Sequence, residues 1–249
     1  MNIALLQSFR TFDIPEWVNL CQNSIRNLAS ENGWTYKFKG DEFFEYAPQW
    51  AKDTVKDNNL CTISDICRLE WIREELREFD VVIWTDIDML ILNKDQISLD
   101  LSLPYGFSYE LAFDSESNPV HGINNAFMFF SKSSPMLSEY LDKAYTALKT
   151  ATKDAVIDRT IIGPSLLKSF SIPNVNIIYG FNILNFYALL RICKDPQGGI
   201  PDYISSNSAH PIGGANLCLN ERSFFTGEQR PQYDHILYVA VNNLLNLKA

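Results

Sequence analysis

Residues 79–92, Phe-Asp-Val-Val-Ile-Trp-Thr-Asp-Ile-Asp-Met-Leu-Ile-Leu, constrain the fold more than any other stretch of this chain. The run at 81–84 is wholly apolar, so a strand there has no wet side and must be covered on both faces, as in a parallel sheet. Upstream, residues 62–79 carry apolar side chains at helical spacing, with Glu70, Arg73, Glu74, Arg77 and Glu78 predicted on the wet face. Residues 3–6 read as a short buried strand. Residues 15–29 then form an amphipathic pattern through Trp17, Leu20, Cys21, Ile25 and Leu28. Asn32-Gly33 ends that helix, and residues 35–38 read as a second strand. The order strand–helix–strand–helix–strand predicts an α/β fold with a mixed, mainly parallel sheet flanked by helices.

Beyond residue 100 the pattern is mixed. Strands are expected at 105–109 and 126–130, and helices at 135–148 and 161–170, the latter introduced by Gly163-Pro164. Gly198-Gly199, Pro201, Pro211 and Gly213-Gly214 mark loops, and 235–247 reads as a docked terminal helix. No repeat or Pro/Gly-rich linker interrupts the 249 residues, which favours a single domain, 1–249.

With 46% apolar residues the chain can bury a core, so wholesale disorder is excluded. Lys and Arg number 21 against 30 Asp and Glu, and a net charge of −9 argues against broad nucleic-acid binding. The five cysteines form no Cys-x-x-Cys pair, which speaks against a disulfide framework or a thiolate zinc site and for a reducing compartment. The start of the chain has no basic segment followed by a long apolar one. Its apolar runs fall far short of the ~18 residues a membrane-spanning helix needs. A soluble, cytoplasmic protein without an integral membrane segment is expected, and a bacterial or virus-encoded origin fits the missing anchor.

Asp86 and Asp88 carry the most chemistry. In extended backbone, residues i and i+2 face the same way, so both carboxylates can converge on one point. Their apolar flanks place them at the core boundary, where unpaired anions are costly. A hard divalent cation, Mn²⁺ or Mg²⁺, would offset that cost and could also hold a diphosphate. The alternative is an Asx-rich turn with solvated acids, which a bare Asp-x-Asp more often is. On the preceding helix Asp65 and Arg68 stand at i and i+3, at the end of the buried stripe through Ile72, Leu76 and Phe79. They are either an intrahelical ion pair or a carboxylate and guanidinium positioned to grip sugar hydroxyls.

Ser64-Asp65-x-x-Arg68, a helix, an apolar strand and Asp86-x-Asp88-Met89-Leu90 together resemble the DXD region of GT-A glycosyltransferases. The likeness is nearest to family 32, with its mannosyltransferases and capsular-polysaccharide transferases, and to the glucosylating toxins. Gln7-Ser8-Phe9 is similar to that family's Gln-Thr-Trp after the first strand, and residues 34–38 with Asp41 to its second strand and acidic end. Asn124-Asn125-Ala126-Phe127-Met128 with Ser131-Lys132 and Pro135 resembles its Asn-Ala-Phe-Met-x-Ser-Lys segment, and Gly163-Pro164 its Gly-Pro turn. The family's Gly-Gly-x-Tyr before the aspartates is absent here, as is its usual ending. His210-Pro211-Ile212-Gly213 resembles the His-x-x-Gly of family 8, whose His completes the metal site.

The resemblance implies a GT-A fold. It also implies a hexosyltransferase that takes a UDP-glucose or GDP-mannose type of nucleotide sugar to a glycan acceptor, with retention of configuration. Residues 1–100 would bind the nucleotide sugar and 101–249 the acceptor. Asp65, Arg68, Asp86 and Asp88 would be catalytic, and Asp86, Asp88 and His210 would hold the metal. Gln7, Ser8, Phe9, Asp41, Asp65, Arg68, Asp86, Asn124 and Asn125 would line the donor, in the crevice at the carboxyl ends of the strands. Phe9 or Trp34 would stack on the base. An inverting reaction would instead need a base, for which Glu110 and Asp114 are candidates; His121 and His235 have no comparable context. Two other readings remain open: a non-catalytic nucleotide-sugar or glycan-binding protein, and a metal-dependent phosphatase, although Leu90 departs from the haloacid dehalogenase pattern.

Overall fold

The computed structural model describes residues 1–55, 59–113, 119–151, 157–170, 176–196 and 212–246. The first part follows the expected alternation: β1 (Ile3–Ser8), α1 (Glu16–Glu31), β2 (Thr35–Lys39), the short α2 (Gln49–Thr54), α3 (Leu60–Glu75), β3 (Val81–Thr85) and β4 (Met89–Ile91). Then come β5 (Tyr105–Phe113), β6 (Pro119–Ser131), α4 (Met136–Thr150), α5 (Pro164–Ser169), β7 (Ile177–Ile183), α6 (Phe186–Lys194), β8 (Gly214–Asn216) and α7 (Arg230–Asn246). All eight strands join one sheet in the order β2-β1-β3-β6-β5-β7-β8-β4. Pairs β1–β2, β1–β3, β5–β7 and β7–β8 are parallel, while β6 and β4 run against their neighbours.

The apolar run of β3 explains the layering. Val82 and Trp84 pack with Ile66, Leu69 and Ile72 of α3 and with Tyr140 and Ala144 of α4. Val81 and Ile83 face the other way, towards Ile25, Leu28 and Ala29 of α1. A third cluster joins Trp17, Val18 and Cys21 of α1 to Leu90, Ala215, Leu189 of α6 and Leu237 and Val241 of α7. Covered on both faces, the sheet exposes its rims alone, and a site can form where the parallel strands end.

Four expectations change. The α3 helix stops at Glu75, short of Phe79, because the next residues turn the chain back into β3. Glu70 is not on a wet face. It is buried and accepts a hydrogen bond from Tyr145, with Arg73 as ion-pair partner. The helix expected over 161–170 spans Pro164–Ser169 alone, with Pro164 at its first turn. The strands expected at 105–109 and 126–130 are longer, because β5 and β6 continue together as a ladder to Phe113 and Pro119. Strands β4, β7 and β8 were not expected. Register on β5 shifts between Ser108 and Glu110 beside Gly180, whose φ of +99° and contact with the Gln96 carbonyl leave no room for a Cβ.

Candidate active site

The carboxyl ends of β1, β3, β5, β7 and β8 meet along one rim, and the acids of the chain gather there. Asp65 and Arg68, one turn apart on α3, point inward and are 6% and 7% exposed. Arg68 pairs with Asp65 Oδ1 at 3.2 Å and with Asp86 Oδ1 at 2.9 Å, and it donates to the Asn125 carbonyl at 3.1 Å. Its guanidinium lies 5.0 Å from the Trp84 ring centre, and Nε, buried, has no partner. Asn125 Nδ2 donates to Asp65 Oδ1 at 2.9 Å, closing the ring. Gly163 approaches Asn125 so closely that a Cβ would stand 3.1 Å from Asn125 Oδ1, which gives the Gly-Pro turn a steric reason.

Asp86 and Asp88 do not share a pleat. They occupy a turn after β3, closed by Met89 N–H donating to the Asp86 carbonyl at 3.3 Å. Asp86 accepts from Trp84 Nε1 at 2.8 Å, and its backbone N–H donates to Ala126 O at 2.8 Å. Asp88 Oδ2 accepts from the Leu219 N–H at 2.7 Å, and its carbonyl from Leu217 N–H. Burial is the main cause that raises Asp65 and Asp88 to about 6; Arg68 opposes it at Asp65, and the negative Asp86 adds to it at Asp88. Asp86 is raised as well, by burial, with Arg68 opposing.

A second knot lies beside the first. Glu110 is 1% exposed and accepts from Ser108 Oγ at 3.0 Å, Asn124 Nδ2 at 2.7 Å and Asn216 Nδ2 at 3.3 Å. Burial pushes it to about 7 against those donors. Asn124 Oδ1 in turn accepts from Ala126 N–H, and Asn216 Oδ1 from Cys218 N–H. Glu110 thereby braces both segments on which the aspartates hang. It is a scaffold acid, enclosed by donors, rather than a base open to an acceptor.

Other expected donor residues are placed differently. Gln7 is fully buried; its amide donates to the Asp86 carbonyl at 3.1 Å and accepts from Tyr36 Oη at 2.8 Å, so it supports the rim from behind. Asn124 is likewise spent on Glu110. Ser8 and Phe9 are half-buried at the rim, with the Arg10 guanidinium 5.3 Å from the Phe9 ring, and Asp41 is exposed at the start of a 3-10 turn. Trp34 precedes β2, at the opposite end of the parallel strands, and lines a cavity of about 430 Å³ with Leu28, Lys94, Ile97 and Phe127. It does not reach the acid turn. His210 and Asp114 lie outside the described residues. His121 stacks on Tyr109, with 5.5 Å between ring centres, and His235 sits on α7. Asn216 and the Leu219 N–H gave no sequence signal, since β8 is three residues long and its partners are remote in the chain.

Among the described residues no three His, Cys, Asp or Glu side chains form a metal-binding group. Asp86 Oδ1 and Asp88 Oδ2 are engaged in hydrogen bonds, and the two neighbouring carboxylates still fit Mg²⁺ or Mn²⁺. Such ions are commonly held by one or two carboxylates together with substrate phosphates rather than by a cage of side chains.

No protein-family model matches the chain, and no curated protein matches its sequence. Solved structures do. A glycosyltransferase involved in glycosylation of the major capsid of PBCV-1 matches over 95% of this chain and 98% of its own, at 13% identity and a TM-score of 0.51. The chain has the GT-A glycosyltransferase fold. Mouse xyloside xylosyltransferase 1 in its apo form matches 88% of this chain and 99% of its own, at 10% identity and a TM-score of 0.47. For the PaToxG glycosyltransferase the figures are 99%, 87%, 12% and 0.39. At such identities the likeness speaks to the fold, and the rim acids lie where open α/β sheets bind ligands. No helix among the described residues is long and apolar enough to cross a membrane.

Proposed function

We propose that this chain is a metal-dependent glycosyltransferase that moves a hexose from a UDP-glucose or GDP-mannose type of donor to a glycan acceptor, with retention. One observation carries the reading: buried Asp65, Arg68 and Asp88 and half-buried Asp86 converge at the carboxyl ends of the strands in a glycosyltransferase fold. The order of the motifs supports a likeness to family 32.

Asp88, and Asp86 through its free oxygen, would hold Mn²⁺ or Mg²⁺. When bound, that ion supplies Lewis-acid neutralisation of the leaving diphosphate. The remaining work falls to the chain. Arg68 pairs with both Asp65 and Asp86, which offsets part of the cost of withdrawing their charges from water. Asn125 would hold Asp65 towards a donor hydroxyl. Glu110 is enclosed by donors, which favours a retaining route without a dedicated base.

The test is a panel of nucleotide sugars with Mn²⁺ and glycan acceptors. Release of UDP or GDP, and a product whose anomeric proton coupling matches the donor, support the reading. Donor turnover and metal dependence left untouched in Asp88→Ala would refute the metal assignment.

A further inference from the structure

A nucleoside diphosphate entering this rim meets Asp65, Asp86, Asp88 and Glu110, and the cation beside them, Arg68, is already committed to two of them. A divalent ion on Asp86 and Asp88 cancels part of the added negative charge but leaves an excess. Resting on the proposed function, we infer that Arg159 is a second cationic contact for the donor diphosphate, held across the mouth of the crevice.

Its placement comes from both sides of that mouth. Asn59, which caps α3, donates from Nδ2 to the Ile157 carbonyl at 2.9 Å and so holds the segment before Arg159 against the helix of Asp65 and Arg68. The guanidinium reaches the other way, with Nη1 3.4 Å from Ser223 Oγ and its centre 5.9 Å from the Phe224 ring. Ser223 belongs to the 3-10 turn Leu219–Phe224, whose first N–H caps Asp88. Arg159 thus spans from the start of α3 to the turn that Asp88 anchors. Cys61, in the first turn of α3, lies within electrostatic reach of Asp65, Arg159, Arg68 and Asp86.

Arg159 is exposed and forms no ion pair among the described residues. The contact to Ser223 is long for a hydrogen bond and is readily exchanged. A planar guanidinium presents paired donors that match phosphate oxygens, and a phosphate at this mouth would complete them.

Binding of UDP, GDP, the matching monophosphates and the nucleosides, each with Mn²⁺, tests this by calorimetry on the whole chain. Arg159→Ala is expected to weaken diphosphate binding about 10- to 100-fold, the range of a hydrogen bond to a charged group. The nucleosides should lose nothing, Arg159→Lys should retain part of the affinity, and the melting temperature should hold because the side chain is exposed. Lys168→Ala, which removes an exposed cation from α5, should bind as the unaltered chain does. If Arg159→Ala binds diphosphates as tightly as the unaltered chain while Asp88→Ala does not, the role given to Arg159 is wrong and the proposed function stands. If the unaltered chain binds no nucleoside diphosphate, both fall.

Discussion

The two halves of the rim treat buried acids in opposite ways. On the α3 side, Asp65 and Asp86 share a guanidinium, so charge meets charge. On the β5–β8 side, Glu110 has neutral donors from Ser108, Asn124 and Asn216 and no cation. Asp88 stands between, held by backbone N–H groups and with a like charge nearby. Burial raises all four acids, to about 6 at Asp65 in spite of its cation, to about 6 at Asp88 and to about 7 at Glu110, so pairing limits the rise without preventing it. The uncompensated position is the one a cation would fill.

The sharpest way to break this contrast is Arg68→Ala. It strands the buried Asp65 and the half-buried Asp86 and should cost about 3 kcal/mol of stability by urea unfolding. Arg68→Lys should recover only part, because an ammonium cannot fork to both acids. Unchanged stability would mean the α3 side is not held by charge.

Asp88→Ala should cost about 1 kcal/mol through the lost bond from Leu219 N–H, and lower Mn²⁺-dependent nucleotide binding by about 100-fold or more. Because Asp88 titrates at about 6, Mn²⁺ affinity should fall as the pH drops through that value, where protons compete with the ion. Affinity independent of pH between 7.5 and 5.5 would place the ion elsewhere.

Glu110→Gln sharpens the other half. The new amide can keep its oxygen towards Asn124 and Asn216 and turn its NH2 to Ser108 Oγ, so the fold should persist at a cost of about 1 kcal/mol. In the unaltered chain Glu110 is raised to about 7 from an ordinary 4.5. Between those values the folded state binds more protons than the unfolded one, so its contribution to stability falls as pH rises. That slope, read from melting temperatures across pH 4.5–7.5, should flatten in the variant. The smallest effect is expected of Gly163→Ala, which nudges Asn125 off Asp65 for roughly 1 kcal/mol or less and shows mainly as a higher KM for the donor.

Legibility followed distance along the chain. Val81, Val82, Ile83 and Trp84 announce a doubly covered strand because each needs burial, and the i, i+3 spacing of Asp65 and Arg68 places them on one helix face. Strand β7 was not readable, since a positive-φ Gly180 breaks its alternation, and β8 is too short to carry a period. Gln7 looked like a ligand contact because it follows a strand; its position behind Asp86 depends on Tyr36 and on a turn 79 residues away. Trp34 misled for the complementary reason: an aromatic beside a strand says nothing of which end of the sheet it occupies.

Local periodicity and the apolar run before Asp86 determined on their own that helices would sandwich a parallel sheet, since burial of side chains is dictated residue by residue. Which acids are paired was decided by folding alone. Arg68 meets Asp86 and the Asn125 carbonyl, Asp88 meets Leu219, and Glu110 meets Asn216, all through contacts between segments far apart in the chain. Protonation depends on those neighbours and on lost water, and neither is encoded in any one stretch of residues.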